Sequence, residues 1–226
     1  MNIVLSGSVA VGKSTLMRKL KEEIDTLFIF PEFIDENLIL STEDEKRKSL
    51  ELLKKRFNGE IEPYELQEYI LQRWDEYADR GARIDKNRPR LFERLPDDSV
   101  EIFALPIVSS DEYTQLKLHL IRTNRKLPSY HSMKGEKTIW INYENTFNLS
   151  KEDEIVKIIK KARSSGMENV IINIYITGVR NYENYVKRGR TEERYSLESM
   201  KSLNERYFAY MTQILAEIKP YEIFNI

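Results

Sequence analysis

The segment GSVAVGKS, Gly7 to Ser14, is a glycine-rich turn closed by a lysine and a hydroxyl. It satisfies G-x-x-x-x-G-K-[ST] at every fixed position. Backbone N–H groups of Gly7, Ser8, Val9, Ala10, Val11 and Gly12, followed by a helix N-terminus at Lys13, Ser14 and Thr15, would wrap the phosphates of a nucleotide. Lys13 would reach the β- and γ-phosphates, and Ser14 would offer its hydroxyl to Mg²⁺. A second cluster, KRGRTEER at 187 to 194, gathers Lys187, Arg188, Arg190 and Arg194 around Glu192 and Glu193, with Gly189 between the arginines. Guanidinium groups in such a segment suit charge that develops on a transferring phosphoryl group, and arginine donates in a planar fork that lysine lacks. Three further positions carry polar groups beside apolar runs. Glu32 follows an apolar run, Glu93 and Arg94 follow another, and Gln67 shares a helical face with Leu71 and Trp74.

The elements that must hold these groups follow from periodicity. Ile3 to Leu5, Leu27 to Phe30 and RLFER (90–94) are short apolar strand candidates. NVIINIYI (169–176) is the strongest buried-strand signal, TIWINY (138–143) alternates as an edge or hairpin strand would, and YEIFNI closes the chain as a last strand. Helical spacing appears over 16–24, through Leu50, Leu53 and Phe57, over 64–79, and over DEIVKIIKKARSSG up to Gly166. After Ser196, a suitable N-cap, Met200, Leu203, Tyr207, Met211, Ile214 and Ile218 mark one face of a long helix. Strands alternating with helices imply an α/β protein, a parallel sheet covered on both faces. Glu32 and Glu93–Arg94 then fall at the carboxyl edge of the sheet, where such folds bind ligands.

Composition narrows the classes. Lys plus Arg (36) and Asp plus Glu (37) nearly cancel in 226 residues, which gives no basic field for nucleic acid or an anionic membrane. The chain has no cysteine and two histidines, which excludes disulfide scaffolds, thiolate metal sites and a cysteine nucleophile. No run approaches the ~18 apolar residues of a membrane span, and the first residues lack a signal-peptide pattern. The expectation is a soluble, cytoplasmic protein. The guanine-reading N-K-x-D is absent, and no buried-looking strand ends in the acids of a motor or AAA-type ATPase. Small P-loop kinases remain.

Three segments in order, FPEFID, LFERLPDDSVEIFA and KRGRTEER, together with ELQEYILQR between the first two, resemble the P-loop deoxynucleoside kinase family, viral members included. The resemblance implies a single domain over 1–226 with the P-loop kinase fold: a five-stranded parallel sheet flanked by helices, a lid, and an inserted region around 109–165. It implies ATP and Mg²⁺, transfer to the 5′-hydroxyl of a small-molecule deoxynucleoside, pyrimidine preferred, and a homodimer. By the same resemblance Glu32 is the base, Glu93 helps to hold Mg²⁺ with Ser14, and Arg94 contacts the 5′-hydroxyl region and restrains Glu32. Gln67 reads the base, Arg188 and Arg190 are the lid arginines, and Glu193 reaches the sugar 3′-hydroxyl.

This sequence departs from the family pattern mainly around base and sugar. The tryptophan after FPEFID is missing, Leu95 follows Glu93–Arg94 in place of serine, Ser99 stands where some members carry an acid, and Asn184 stands where an arginine is common. The sugar-contacting tyrosine has two imperfect candidates, Phe57 and Tyr64. A deoxynucleoside monophosphate kinase of the thymidylate kinase type is a rival, with Arg73, Arg83 or Arg88 as the acceptor-phosphate cation. A nucleotide-binding module that has lost catalysis is another.

Overall fold

A computed structural model describes residues 1–83, 87–176, 180–189 and 192–226. Six strands form one parallel sheet: β1 (Asn2–Ser6), β2 (Phe28–Phe30), β3 (Arg90–Glu93), β4 (Thr138–Glu144), β5 (Asn169–Tyr175) and β6 (Glu222–Asn225), in the order β2-β3-β1-β5-β4-β6. Strands with both faces covered have no polar face to show, so they read as near-continuous apolar runs. Along β1, Ile3 and Leu5 face one layer and Val4 the other; along β5, Val170, Ile172 and Ile174 oppose Ile171.

Two helical layers close the core. On one face α1 (Lys13–Glu23) brings Leu16 and Leu20, and α6 (Leu149–Ser164) brings Ile155, Val156 and Ile159. The other face holds α2 (Glu43–Phe57), α3 (Pro63–Gly81) and α8 (Leu197–Ile218), with Trp74, Tyr77, Leu203, Tyr207 and Met211 against Phe92 and Trp140. The N-cap expected at Ser196 is present, its Oγ accepting the Ser199 N–H at 3.0 Å. After β3 a short helix, α4 (Pro96–Asp98), runs into a π-helical turn over Ser99–Ala104. The helix α5 (Ser110–Thr123) packs Leu116 and Leu120 against Leu71, Val100 and Ala104. A last helix, α7 (Arg180–Arg188), follows β5 and precedes Gly189.

The expected strand count was one too low, and the error lies in TIWINY. It is no edge or hairpin strand: β4 pairs in parallel with β5 on one side and with β6 on the other. Its apparent polar alternation misleads because the polar residues are satisfied inside the sheet. Trp140 Nε1 donates to Asn142 Oδ1 at 2.8 Å, and Asn142 Nδ2 donates to Asn225 Oδ1 at 2.9 Å. The 109–165 region is therefore a helix followed by a full β–α unit of the sheet.

Candidate active site

The phosphate loop joins β1 to α1, and its two outer glycines are dictated by crowding as well as by dihedral angle. Gly7 has φ 141°, and a Cβ there would lie 2.3 Å from the Ile174 carbonyl oxygen. Gly12, φ 98°, would place a Cβ 2.2 Å from Asn145 Nδ2. Lys13 is buried, and its Nζ donates to the carbonyls of Gly7 (3.1 Å) and Ser8 (2.7 Å). Burial first, then the Arg94 charge, lowers its pKa to about 7 against the pull of Glu93, Glu32 and Asp98. A polyanion in this cradle would favour the charged form of Lys13 further.

Across the loop stand Glu32, Glu93 and Arg94. Arg94 adopts φ 66° as the chain leaves β3, a left-handed conformation that a side chain rarely takes. That turn sends its guanidinium back over the loop, where Nε and Nη2 donate to the Gly7 carbonyl at 3.3 and 3.2 Å and Nη1 pairs with Glu32. The guanidinium also lies over the rings of Phe103 (5.2 Å) and Tyr207 (5.8 Å). Burial opposes its charge, but Glu32, Tyr207, Glu93 and Asp98 outweigh that, and its pKa rises well above the ordinary value. Glu93 is pushed the other way for a carboxyl: burial and then Glu32 raise its pKa, opposed by Lys13, Arg94 and Arg188. A hydroxyl at Ser14 and a carboxylate at Glu93, both on the cavity wall, form a hard oxygen donor set. Among the described residues no group of three or more acidic, histidine or cysteine side chains could hold a metal by itself.

One cavity of about 750 Å³ contains the loop, Glu32, Glu93, Arg94, Gln67, Ser99, Arg188 and Glu193. Gln67 is 5% exposed and its Oε1 has no hydrogen-bond partner. It is flanked on the wall by Phe33, Leu53, Leu66, Ile70 and Phe103, an apolar slot with an amide aimed at a planar, hydrogen-bonding ligand. Ser99 reaches the wall from the π-helical turn, whereas Asp98 turns inward, accepting from the Leu95 N–H and from Tyr130 at 3.3 Å each.

The lid segment is described on both sides of Arg190 and Thr191, so the Arg190 assignment lies outside the described residues. Asn184 Nδ2 donates to the Ala10 carbonyl at 3.5 Å, which sets α7 over the phosphate loop. Glu193 is buried on the same cavity wall as Glu32 and Arg94. Burial, with Glu32, raises its pKa, and Arg188, Arg94 and Lys13 pull it down. Tyr185 fixes this segment, donating to the Glu193 carbonyl at 2.6 Å and accepting the Tyr195 N–H at 3.0 Å. Tyr185 and Tyr195 have no signal in the sequence beyond being aromatic, and their role exists only once the segment folds back.

The three candidates for the acceptor-phosphate arginine of a monophosphate kinase are not among the residues that line the cavity. Arg73 is bound to Glu45, Glu76 and Ser41, Arg88 donates to the Thr26 carbonyl at 2.8 Å, and Arg83 is exposed. Trp74 and Tyr77 belong to the core.

The deoxynucleoside kinase family model matches residues 3–177. The chain belongs to the deoxynucleoside kinase family. Its fold is similar to that of deoxyadenosine kinase from M. mycoides with bound dATP, at TM-score 0.56 and 16% identity over all of this chain and 90% of that one. The same kinase with products dCMP and a flexible dCDP gives TM-score 0.61 and 17% identity over 100% and 90%. With bound dCTP it gives 0.56 and 16% over 100% and 89%. No curated protein matches the chain. Within the family pattern, the two candidates for the sugar-contacting aromatic now separate. Phe57 lines the cavity, edge-on to Tyr195 at 5.1 Å, whereas Tyr64 packs beside α5 with Leu71 and Leu116. Among the family's lid positions, Arg188 and Glu193 reach the cavity wall, and Asn184, where arginine is common, braces the loop.

Proposed function

We propose that this protein is an ATP- and Mg²⁺-dependent deoxynucleoside kinase that transfers the γ-phosphate of ATP to the 5′-hydroxyl of a deoxynucleoside, pyrimidine preferred. The observation that carries this reading is the Glu32–Arg94 pair, tied to the phosphate loop through the Gly7 carbonyl. It sets a carboxylate beside the transfer path in the cavity that also holds the unpartnered amide of Gln67. Gln67 receives the base, the walls from Phe33 and Phe103 flank it, and Glu193 and Tyr195 face the sugar. Glu32 accepts the proton of the 5′-hydroxyl as its oxygen attacks the γ-phosphorus and the bond to the bridging β,γ-oxygen breaks, leaving ADP. Arg94 holds the Glu32 carboxylate in place. Lys13 binds β- and γ-oxygens, and Arg188, with Arg190 from the same segment, stabilises the charge on the phosphoryl group in transit. Ser14 and Glu93 would hold Mg²⁺, which when bound neutralises phosphate charge.

A second reading has its own observation. Arg56, Arg194 and Arg206 line the cavity without a carboxylate partner among the described residues; Arg206 Nη1 donates to Ser202 Oγ at 3.1 Å while its buried Nε has no hydrogen bond. Guanidinium groups not neutralised by a carboxylate would suit an acceptor that already bears a phosphate. Mg-ATP-dependent ADP release with each deoxynucleoside and each deoxynucleoside monophosphate separates the readings. Turnover with nucleosides is expected, deoxycytidine above deoxyadenosine. Turnover with monophosphates alone overturns the nucleoside assignment. No turnover with any acceptor favours a binding module. The similar fold of a deoxyadenosine kinase whose structures hold dATP, dCTP and dCMP makes deoxyadenosine the competing base in that panel.

A further inference from the structure

The strand order separates two sides of the phosphate loop. Glu32 and Glu93–Arg94 follow β2 and β3, which lie to one side of β1; β5 and β4 lie to the other. A nucleoside triphosphate whose γ-phosphate points at Glu32 must carry its nucleoside the opposite way, toward β5 and β4. There the loop after β4 is built against the phosphate loop. Asn145 is buried, its N–H donates to the Tyr175 carbonyl at 2.9 Å, and its Nδ2 donates to the Val11 carbonyl at 2.8 Å. Its Oδ1 accepts from Tyr143 Oη at 3.1 Å and from the Phe147 N–H at 2.9 Å. The second of these bonds holds Phe147 at φ 58°, a conformation costly for an aromatic residue. Phe147 is nevertheless 52% exposed, on the cavity wall with Gly12, Thr15 and Arg18. Two residues of chain reach at most about 7 Å, so Phe147 is confined to the neighbourhood of Gly12. Strain spent to expose an apolar ring next to an anion cradle has no use in packing.

We propose that Phe147 is the stacking platform for the donor base, positioned by Asn145. The proposal rests on the reading of the phosphate loop as a triphosphate site and is independent of the acceptor. Stacking on a ring face is tolerant of base identity, because every base has a π-face. ATP and GTP should therefore both serve as donors.

The test is calorimetric binding of Mg-ATP, Mg-GTP and Mg-tripolyphosphate to wild type, Phe147→Ala and Phe147→Trp. Phe147→Ala should weaken ATP and GTP by about tenfold or more, the scale of one base–aromatic stack, and leave tripolyphosphate within about twofold. Phe147→Trp should retain nucleotide affinity. Equal weakening of tripolyphosphate would mean that the loop only supports the phosphate cradle, and that result overturns the proposal, as does unchanged ATP affinity in Phe147→Ala. If wild type binds none of the three, the triphosphate reading falls first and this inference with it.

Discussion

Arg94 meets two demands that conflict at the level of a single residue. It stands beside Glu32 at the end of β3, and it points back to the Gly7 carbonyl from a left-handed backbone. The strain is offset by three donated hydrogen bonds and two aromatic faces. Glu32 depends on that arrangement for its orientation, so it should separate chemistry from binding. Glu32→Gln keeps the pairing geometry and removes proton acceptance. Turnover should fall at least ~100-fold, the scale of losing a general base, with ATP affinity unchanged in a direct titration. Near-wild-type turnover would take Glu32 out of the mechanism.

Among the elements, the phosphate loop has the least tolerance. Its conformation is set by backbone angles and by what stands behind them, the Ile174 carbonyl at Gly7 and the Asn145 amide at Gly12. Gly12→Ala adds a Cβ at φ 98° against Asn145, so both conformation and space oppose it. The expected result is loss of measurable Mg-ATP binding and a destabilisation of about 1–3 kcal/mol, read by titration and chemical denaturation. Full ATP affinity in that variant would show that the Asn145 loop yields freely, which would also weaken the case for Phe147. The loop was legible in sequence because a run of contiguous residues specifies it. The companion loop at Asn145 to Phe147 was not, because its partner, Val11, lies 134 residues away.

At the scale of the whole molecule, near-cancelling charges conceal a strongly partitioned interior. Behind the Arg94 turn, Asp97 and Asp98 are buried side by side, and both have pKa values raised to about 7. Burial dominates in each; the neighbouring Asp98 charge adds to the shift of Asp97, while Arg94 holds Asp98 down. An unfolded aspartate titrates near ~3.9. Between about pH 4 and about pH 7 the folded protein therefore keeps protons that the unfolded chain has lost, and stability falls as pH rises through that window, then levels off. Asp97 Oδ2 has no partner, which makes Asp97→Asn the clean probe. Its denaturation free energy should exceed wild type at pH 8 by about 1–3 kcal/mol and lose that advantage by pH 4.5. Parallel pH profiles would refute the assignment.

The sequence by itself determined the phosphate loop, the α/β class with strands covered on both faces, and the acidic and basic groups at strand ends. Local backbone geometry and burial periodicity are written in neighbouring residues. The resemblance placed Glu32, Gln67, Arg94, Arg188 and Glu193 in one site, and the folded chain brings all five to one cavity. Only the tertiary structure decided that TIWINY is an interior strand, that Arg73 pairs with Glu45 and Glu76, and that Tyr185 pins the Glu193 segment. It also decided that Asn145 braces the phosphate loop. Parallel strands are paired through crossovers of a dozen or more residues. Which strand lies beside which, and what each strand end then faces, is a competition for burial among distant segments that no local pattern records.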